Sequence, residues 1–320
     1  MRVCLILGGS GYIGSKWAKR LADRKHFDRI VLADIRPPSQ PLATGCEFVK
    51  CDVRKPLPFK DLKPEWLVNF AAVHREPGHN REEYFDTNLA GAKNACDFAS
   101  RSGCNNILFT SSIAVYGPLK QPTSETSLPY PDSPYGCSKL CAELIHKGWR
   151  RSGVGRRLYV CRPGVIYGPG DPGNILRMIR AVRKGYFIFP GSRHLRKSYG
   201  YIEGLLDSFE FIMARDEVEL TYNYVERETE TLGTLIKLVQ AQLGKGNWTL
   251  TAPLPVLETA AALVQWVTRG RSPIHPVRVR KTASSTHVMP GTLLKTGFIF
   301  RYDFAASLKD WAKKAPEDFF

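Results

Sequence analysis

Val3-Cys4-Leu5-Ile6-Leu7 runs straight into Gly8-Gly9-Ser10-Gly11-Tyr12-Ile13-Gly14, and a helix-forming stretch, Lys16–Leu21, follows. Five consecutive apolar residues ending at glycine suit a central strand covered on both faces. The glycines divide the work. Gly8 takes a tight turn, Gly11 lets the backbone approach a pyrophosphate, and Gly14 permits close packing of helix on strand. A diphosphate placed there lies against the positive end of the helix, in a cradle that includes Tyr12 and Ile13. Ile30–Ala33 repeats the strand signal and ends at Asp34, placed to accept the adenosine ribose hydroxyls and to repel a 2′-phosphate. NAD is therefore expected over NADP, with Arg36 as the one nearby charge that argues the other way.

Working outward, strands are expected at Glu47–Lys50, Leu67–Ala71, Asn106–Thr110 and Leu158–Cys161, with Glu83–Ser100 and Tyr135–Arg150 as the main helices between them. Strands alternating with helices predict an α/β fold, a Rossmann-type doubly wound parallel sheet. After Cys161 the pattern changes. Arg162–Gly173 is dense in Gly and Pro, and helices are expected at Ile175–Lys184, Leu205–Ala214, Thr231–Leu243, Glu258–Arg269 and Phe304–Lys313, with one strand at Glu219–Tyr222. The expected division is an NAD-binding domain of residues 1–165 plus about 198–226, and a smaller mixed substrate-binding lobe of about 166–197 plus 227–320. That lobe closes over the cleft at the carboxyl ends of the strands, where open parallel sheets hold their ligands.

Bulk composition sets the class. With 320 residues, 43% apolar and 24% charged, the chain has the balance of a globular enzyme. No stretch reaches the roughly 18–20 apolar residues that span a bilayer, and the first apolar run stops too early for a secretion signal. A cytoplasmic protein is expected, with contact at the inner face of a membrane as its one extension. The eight cysteines have neither a C-x-x-C pair nor metal-ligand spacing, so reduced thiols and no metal are expected. The net charge of +16 is the unusual number. It suits solubility, a diphosphate substrate or an anionic membrane surface, where basic clusters interleaved with Trp149, Tyr186 and Phe187 would meet headgroups. No nucleic-acid-binding signature accompanies it.

Chemistry concentrates in two places. The apolar strand Asn106–Thr110 ends in Ser111 and Ser112, and Tyr135-Gly136-Cys137-Ser138-Lys139 puts a phenol and an ammonium one helical turn apart. A free phenol, with a pKa of about 10, is a poor base near neutrality. An adjacent ammonium and a positive nicotinamide bring Tyr135 toward the range where it exchanges protons. Lys139 also reaches the nicotinamide ribose, and Ser112 orients the reacting oxygen. Asp52 either accepts from the adenine amino group or serves as a turn acid. Asn88, on a helix whose core has no use for an amide, braces a neighbouring loop or strand beneath the nicotinamide.

These residues together resemble the extended short-chain dehydrogenase/reductase family over nearly the whole chain. The likeness rests on Gly8, Gly11 and Gly14, Asp34, Asp52-Val53, Asn69-Phe70-Ala71-Ala72, Asn88, Ser111-Ser112, Val115-Tyr116-Gly117, Tyr135 with Lys139, and Arg162–Gly168. It implies catalytic Ser112, Tyr135 and Lys139, Val53 and Ala71 beside the cofactor, a homodimer with Glu83–Ser100 at its contact, and a sugar diphosphate substrate. Sugar 4,6-dehydratases of the family carry an Asp-Glu pair after the catalytic hydroxyl. Ile113 and Ala114 stand there instead, which leaves a 4-epimerase or a ketoreductase. Val73–Glu76, Arg162–Asn174, Lys197–Tyr201, Tyr222–Val225 and Val277–Lys281 are similar to bacterial 4-epimerases of activated N-acetylhexosamines, including those whose sugar diphosphate is attached to undecaprenol. Substrate contacts are expected from Lys197 and Arg278 on the diphosphate. Asn174 is placed for a phosphate oxygen or for capping the helix at Ile175, and His74 for the sugar pocket or a local loop bond. A dinucleotide-binding protein without turnover is the remaining alternative.

Overall fold

Val3–Leu7 (β1) is buried along its whole length, as an apolar run without alternation demands, and the sheet grows to either side of it. The computed structural model describes residues 1–75, 78–119, 121–171, 173–246, 249–272 and 275–320, and the side chains of Arg278 and Lys281 lie outside that description. In chain order the first half forms β1, α1 (Tyr12–Asp23), β2 (Arg29–Asp34), β3 (Cys46–Lys50), β4 (Trp66–Asn69), α2 (Arg81–Ser102), β5 (Asn106–Thr110), a 3-10 turn (Ile113–Tyr116), α3 (Pro134–Arg151) and β6 (Arg157–Pro163). The second half contributes β7 (Val165–Tyr167), α4 (Asn174–Arg183), β8 (Ile188–Pro190), β9 (Tyr199–Tyr201), α5 (Ile202–Met213), β10 (Glu219–Tyr224), α6 (Leu232–Gln242), β11 (Leu250–Ala252), α7 (Leu254–Val267), α8 (Pro276–Thr282), α9 (Gly291–Lys295) and α10 (Phe304–Lys314).

The main sheet has seven parallel strands in the order β10-β6-β5-β4-β1-β2-β3. It is the doubly wound sheet that the alternating pattern predicts. Its order reverses between β1 and β4, which opens a crevice at their carboxyl ends. One face is covered by α2 and α3 over Phe98, Phe109 and Trp149. On the other, Trp17 of α1 and Phe209 of α5 meet edge to face at 5.5 Å. Two short parallel pairs, β7 with β9 and β8 with β11, lie outside the main sheet.

Several details depart from the sequence-based expectations. Strand β4 ends at Asn69, two residues early, because Phe70 and Ala71 turn against the glycine loop, although Phe70 N–H still donates to Leu7 O at 2.9 Å. Helix α7 begins four residues before Glu258, since Pro255 is tolerated in a first turn. Trp149, expected among headgroup-facing aromatics, is only 5% exposed and packs in the α2–α3 core with the Arg156 guanidinium over its ring. All eight cysteines are free thiols. Burial pushes Cys51 and Cys104 up to about 11 and Cys96 up to about 12.

Candidate functional site

The carboxyl ends of β1, β4 and β5 lie side by side, because these strands are neighbours in the parallel sheet. The nucleotide side there is built from the first glycine turn. Gly8 has φ +74°, and a Cβ there would stand 2.7 Å from Ala71 N, so the turn and the end of β4 touch backbone to backbone. Gly14 tolerates no Cβ either, because it faces Gly8 O. Helix α1 starts at Tyr12 with Gly11 as N-cap, no side-chain cap and no acidic residue in its first turn. Its first N–H groups, around Tyr12 and Ile13, are therefore available to an anion. Ser10 Oγ and Tyr12 OH are buried without a hydrogen-bond partner among the described residues. Asp34 accepts from Ser10 N–H at 3.1 Å and from Arg36 N–H at 3.2 Å, which fixes its carboxylate at the end of β2. A diphosphate at an uncapped helix end, with an acid one strand over for a ribose, is the donor set a dinucleotide needs, and the residues fit that group.

Asp52 and Val53 follow β3. Both Asp52 oxygens accept from Arg54, at 2.7 to 3.1 Å, and this hydrogen bonding, with the charge of Arg54, holds the carboxyl below its usual range. Asp52 Oδ1 also accepts from Arg54 N–H at 3.0 Å, which closes the turn after β3. Val53 packs against Gly91 of α2, where a Cβ would come within 3.0 Å of Val53 Cγ2.

The reaction side lies on α3 and the 3-10 turn. Ser133 caps α3 by accepting from Gly136 N–H at 3.1 Å, and Pro134 occupies the first helical turn, so Tyr135 stands at the rigid start of the helix. Gly136 lies against Ala114 O, where any Cβ would collide. That contact holds α3 beside the turn whose N-cap is Ser112, with Ser112 Oγ accepting from Ala114 N–H at 3.1 Å. Lys139, one turn after Tyr135, is 2% exposed, and its ammonium sits 4.4 Å from the centroid of Phe109 on β5. Burial pushes its pKa down to about 7, with Glu143 pulling the other way. The structure thus gathers the three expected residues at the ends of β5 and α3.

Asn88 has the bracing geometry that its position suggests. It accepts from Val73 N–H at 2.9 Å, donates to Val73 O at 3.2 Å, and donates to Ser138 Oγ at 2.8 Å, tying the loop after β4 to the turn between Tyr135 and Lys139. His74 follows in that loop with its side chain exposed. The other substrate candidates are scattered. Asn174 is the first residue of α4 and does not cap it; Gly173 is the N-cap, because the helix begins one residue earlier than Ile175. Asn174 Oδ1 accepts instead from Arg177 at 2.6 Å. Lys197 is buried, donates to Ser284 O, and has its pKa pushed down to about 8 by burial. Arg278 belongs to α8, with its side chain outside the described residues.

Two features escaped the sequence reading. Under Lys139, Glu143 forms a buried bidentate pair with Arg162 (2.9 and 2.7 Å), and Arg162 also donates to Tyr116 OH at 2.9 Å, which donates on to Asn223 Oδ1 at 2.8 Å. The i+4 spacing of Glu143 from Lys139 was its only local signal. Asp171 is buried near Tyr12, its carboxyl pushed up to about 6 by burial, with Oδ1 accepting from Gly173 N–H at 2.7 Å. Among the described residues no group of three or more His, Cys, Asp or Glu is arranged to hold a metal ion.

A doubly wound sheet with an uncapped glycine turn at its switch point and a Ser, Tyr and Lys at the next strand ends defines a dinucleotide-binding protein of the dehydrogenase type. The family model described as the NAD dependent epimerase/dehydratase family matches residues 4–227, and the chain belongs to that family. Among its relatives, the N-acetyl-alpha-D-glucosaminyl-diphospho-ditrans,octacis-undecaprenol 4-epimerase of Escherichia coli O157:H7 is 28% identical over 250 residues, 76% of this chain and 75% of that protein. The UDP-glucose 4-epimerase of Lacticaseibacillus casei is 32% identical over 181 residues, 53% of each chain. Among solved structures, the UDP-glucose 4-epimerase of Thermotoga maritima with UDP-glucose superposes with a TM-score of 0.78 at 17% identity, covering 99% of this chain and 100% of its own. The UDP-glucuronic acid 4-epimerase of Bacillus cereus in complex with NAD gives 0.77 at 16%, with the same coverage. At these identities the superpositions speak for the fold.

Proposed function

We propose that this chain is an NAD-dependent 4-epimerase of a diphosphate-activated hexose or N-acetylhexosamine, its carrier a nucleoside or a polyprenol. The observation that carries the reading is the Tyr135–Lys139 pair on the first turns of α3, held beside the Ser112 turn by the contact of Gly136 with Ala114, on the same sheet whose first strand ends in the glycine turn. NAD, when bound, supplies acceptance and return of a hydride. Tyr135 takes the proton of the C4 hydroxyl as that carbon loses hydride, and Ser112 donates to the same oxygen. Lys139 favours the phenolate by its charge. The 4-keto sugar turns within the site and recovers hydride on the opposite face while Tyr135 returns the proton, so configuration changes and net redox does not. Lys197 and Arg278 hold the diphosphate end, which leaves the sugar free to rotate, and His74 lines the sugar side. Association as a homodimer, and work at the inner face of a membrane when the carrier is a lipid, complete the reading.

The test incubates purified protein with UDP-sugars and with a lipid-linked N-acetylhexosamine, following C4 configuration and the absorbance of reduced cofactor together. Interconversion without added reductant is expected, and Tyr135→Phe should lower turnover by about 10²–10⁴-fold while dinucleotide binding persists. Production or consumption of NADH in step with product would instead make the chain a ketoreductase. Dinucleotide and sugar binding without any conversion would make it a binding protein.

A further inference from the structure

Helix α7 is apolar on both sides, with Leu254, Leu257, Ala261 and Val264 on its buried and half-buried side. Glu258 and Gln265 lie on that same side, Glu258 accepting from Arg280 of α8 at 2.8 Å and Gln265 donating to Ser272 O at 2.7 Å. The opposite side carries Val256, Leu263, Trp266 and Val267, which are 58%, 59%, 78% and 66% exposed, with Thr259 among them bonded back to Pro255 O and no charged residue. Single exposed apolar side chains are ordinary; a contiguous face of them on one helix is a contact surface.

Charge says what covers it. Residues 249–288 contain one acid, Glu258, already paired, against Arg269, Arg271, Arg278, Arg280 and Lys281. Arg269 and Arg271 are exposed and follow directly on the helix end. A second copy of this chain would bring the same basic rim against itself. An anionic phospholipid surface meets both halves of the pattern, because its headgroups attract the arginines and its acyl boundary accepts the apolar face, with Trp266 at the level indoles prefer. At 14 residues the helix is about 21 Å long, too short to cross a bilayer and suited to lying in its interface. The chain then leads from α8 into Ser284, whose carbonyl receives the Lys197 ammonium, and Thr286, which is bonded to Ser198. The apolar face is thus joined through one short helix to the lysine assigned to the diphosphate.

We infer that α7 with its basic rim is a peripheral docking surface for an anionic phospholipid bilayer, presenting the cleft to a lipid-linked sugar diphosphate. This purpose rests on the 4-epimerase reading; the docking does not. The full chain is floated with vesicles of phosphatidylcholine alone or mixed with phosphatidylglycerol. It should rise with the mixed vesicles, remain behind with the neutral ones, and be released by high salt. Leu263→Ser with Trp266→Ser should lower vesicle binding about tenfold, and Arg269→Glu with Arg271→Glu at least about tenfold. All four positions are exposed, and an unchanged melting temperature confirms folding. Both double variants should still convert a soluble UDP-sugar as the parent does and lose conversion of the lipid-linked sugar in vesicles. Absence of parent binding to mixed vesicles, or binding unaffected by the Leu263 and Trp266 changes, overturns the assignment. So does loss of self-association in sedimentation with vesicle binding intact, which would give the face to a second copy. If the parent docks but converts no sugar, the docking surface stands and the proposed reaction falls.

Discussion

Lys139 illustrates what a single side chain contributes. Its ammonium is buried against Phe109, and burial lowers its pKa from 10.5 to about 7. The unfolded chain therefore binds more protons than the folded one across that interval. The stability contribution of this group is present above about pH 10.5 and is lost as pH falls toward 7. Between pH 7 and 9 the parent should gain about 2 kcal/mol that Lys139→Met lacks, and urea melts of both proteins across that range check it. An equal slope in the two would mean the ammonium is solvated. At this scale the sequence was informative for local relations. Tyr135 and Lys139 share a face because four residues make one turn, and Asp34 ends a strand because the apolar run stops there. The tie between Lys197 and Ser284 spans 87 residues, and no local pattern encodes it.

Helix α3 shows how an element converts sequence into position. Ser133 and Pro134 fix where it begins, Gly136 lets it press on Ala114, and Glu143, two turns on, reaches Arg162 of β6. With side chains only 1% and 4% exposed, this pair is vulnerable to losing one member. Glu143→Gln should destabilise the fold by about 3–5 kcal/mol, since it leaves the guanidinium buried with a diminished partner. Glu143→Leu combined with Arg162→Met should cost far less than the single change, and a double-mutant cycle in urea measures the difference. The long elements were readable for a physical reason: β1 is an unbroken apolar run, β5 holds Ile107–Phe109 between a polar residue at each end, and both match their expected limits. Strands β7, β8, β9 and β11 have three residues each, too few for any period to show. Their existence depends on pairing partners brought from elsewhere in the chain.

For the molecule as a whole, the proposed homodimer places α2 and α3 of two copies together, and Leu144, 61% exposed on α3, is the apolar side chain available there. Leu144→Glu is expected to move the parent's sedimentation coefficient from dimer to monomer at micromolar protein; a parent that already sediments as a monomer removes the dimer from the proposal. The distribution of sulfur has a different outcome for the molecule. Cys4, Cys51, Cys96, Cys104 and Cys161 are sealed in the interior with their thiols held protonated. An oxidant that cannot reach these thiols in the native molecule finds, in each opened chain, eight cysteine thiols with roughly a hundred ways of joining completely. The hazardous moment for this protein is thus the passage between states, and the rate at which a thiol reagent consumes its hidden cysteines is a clock for how often it opens.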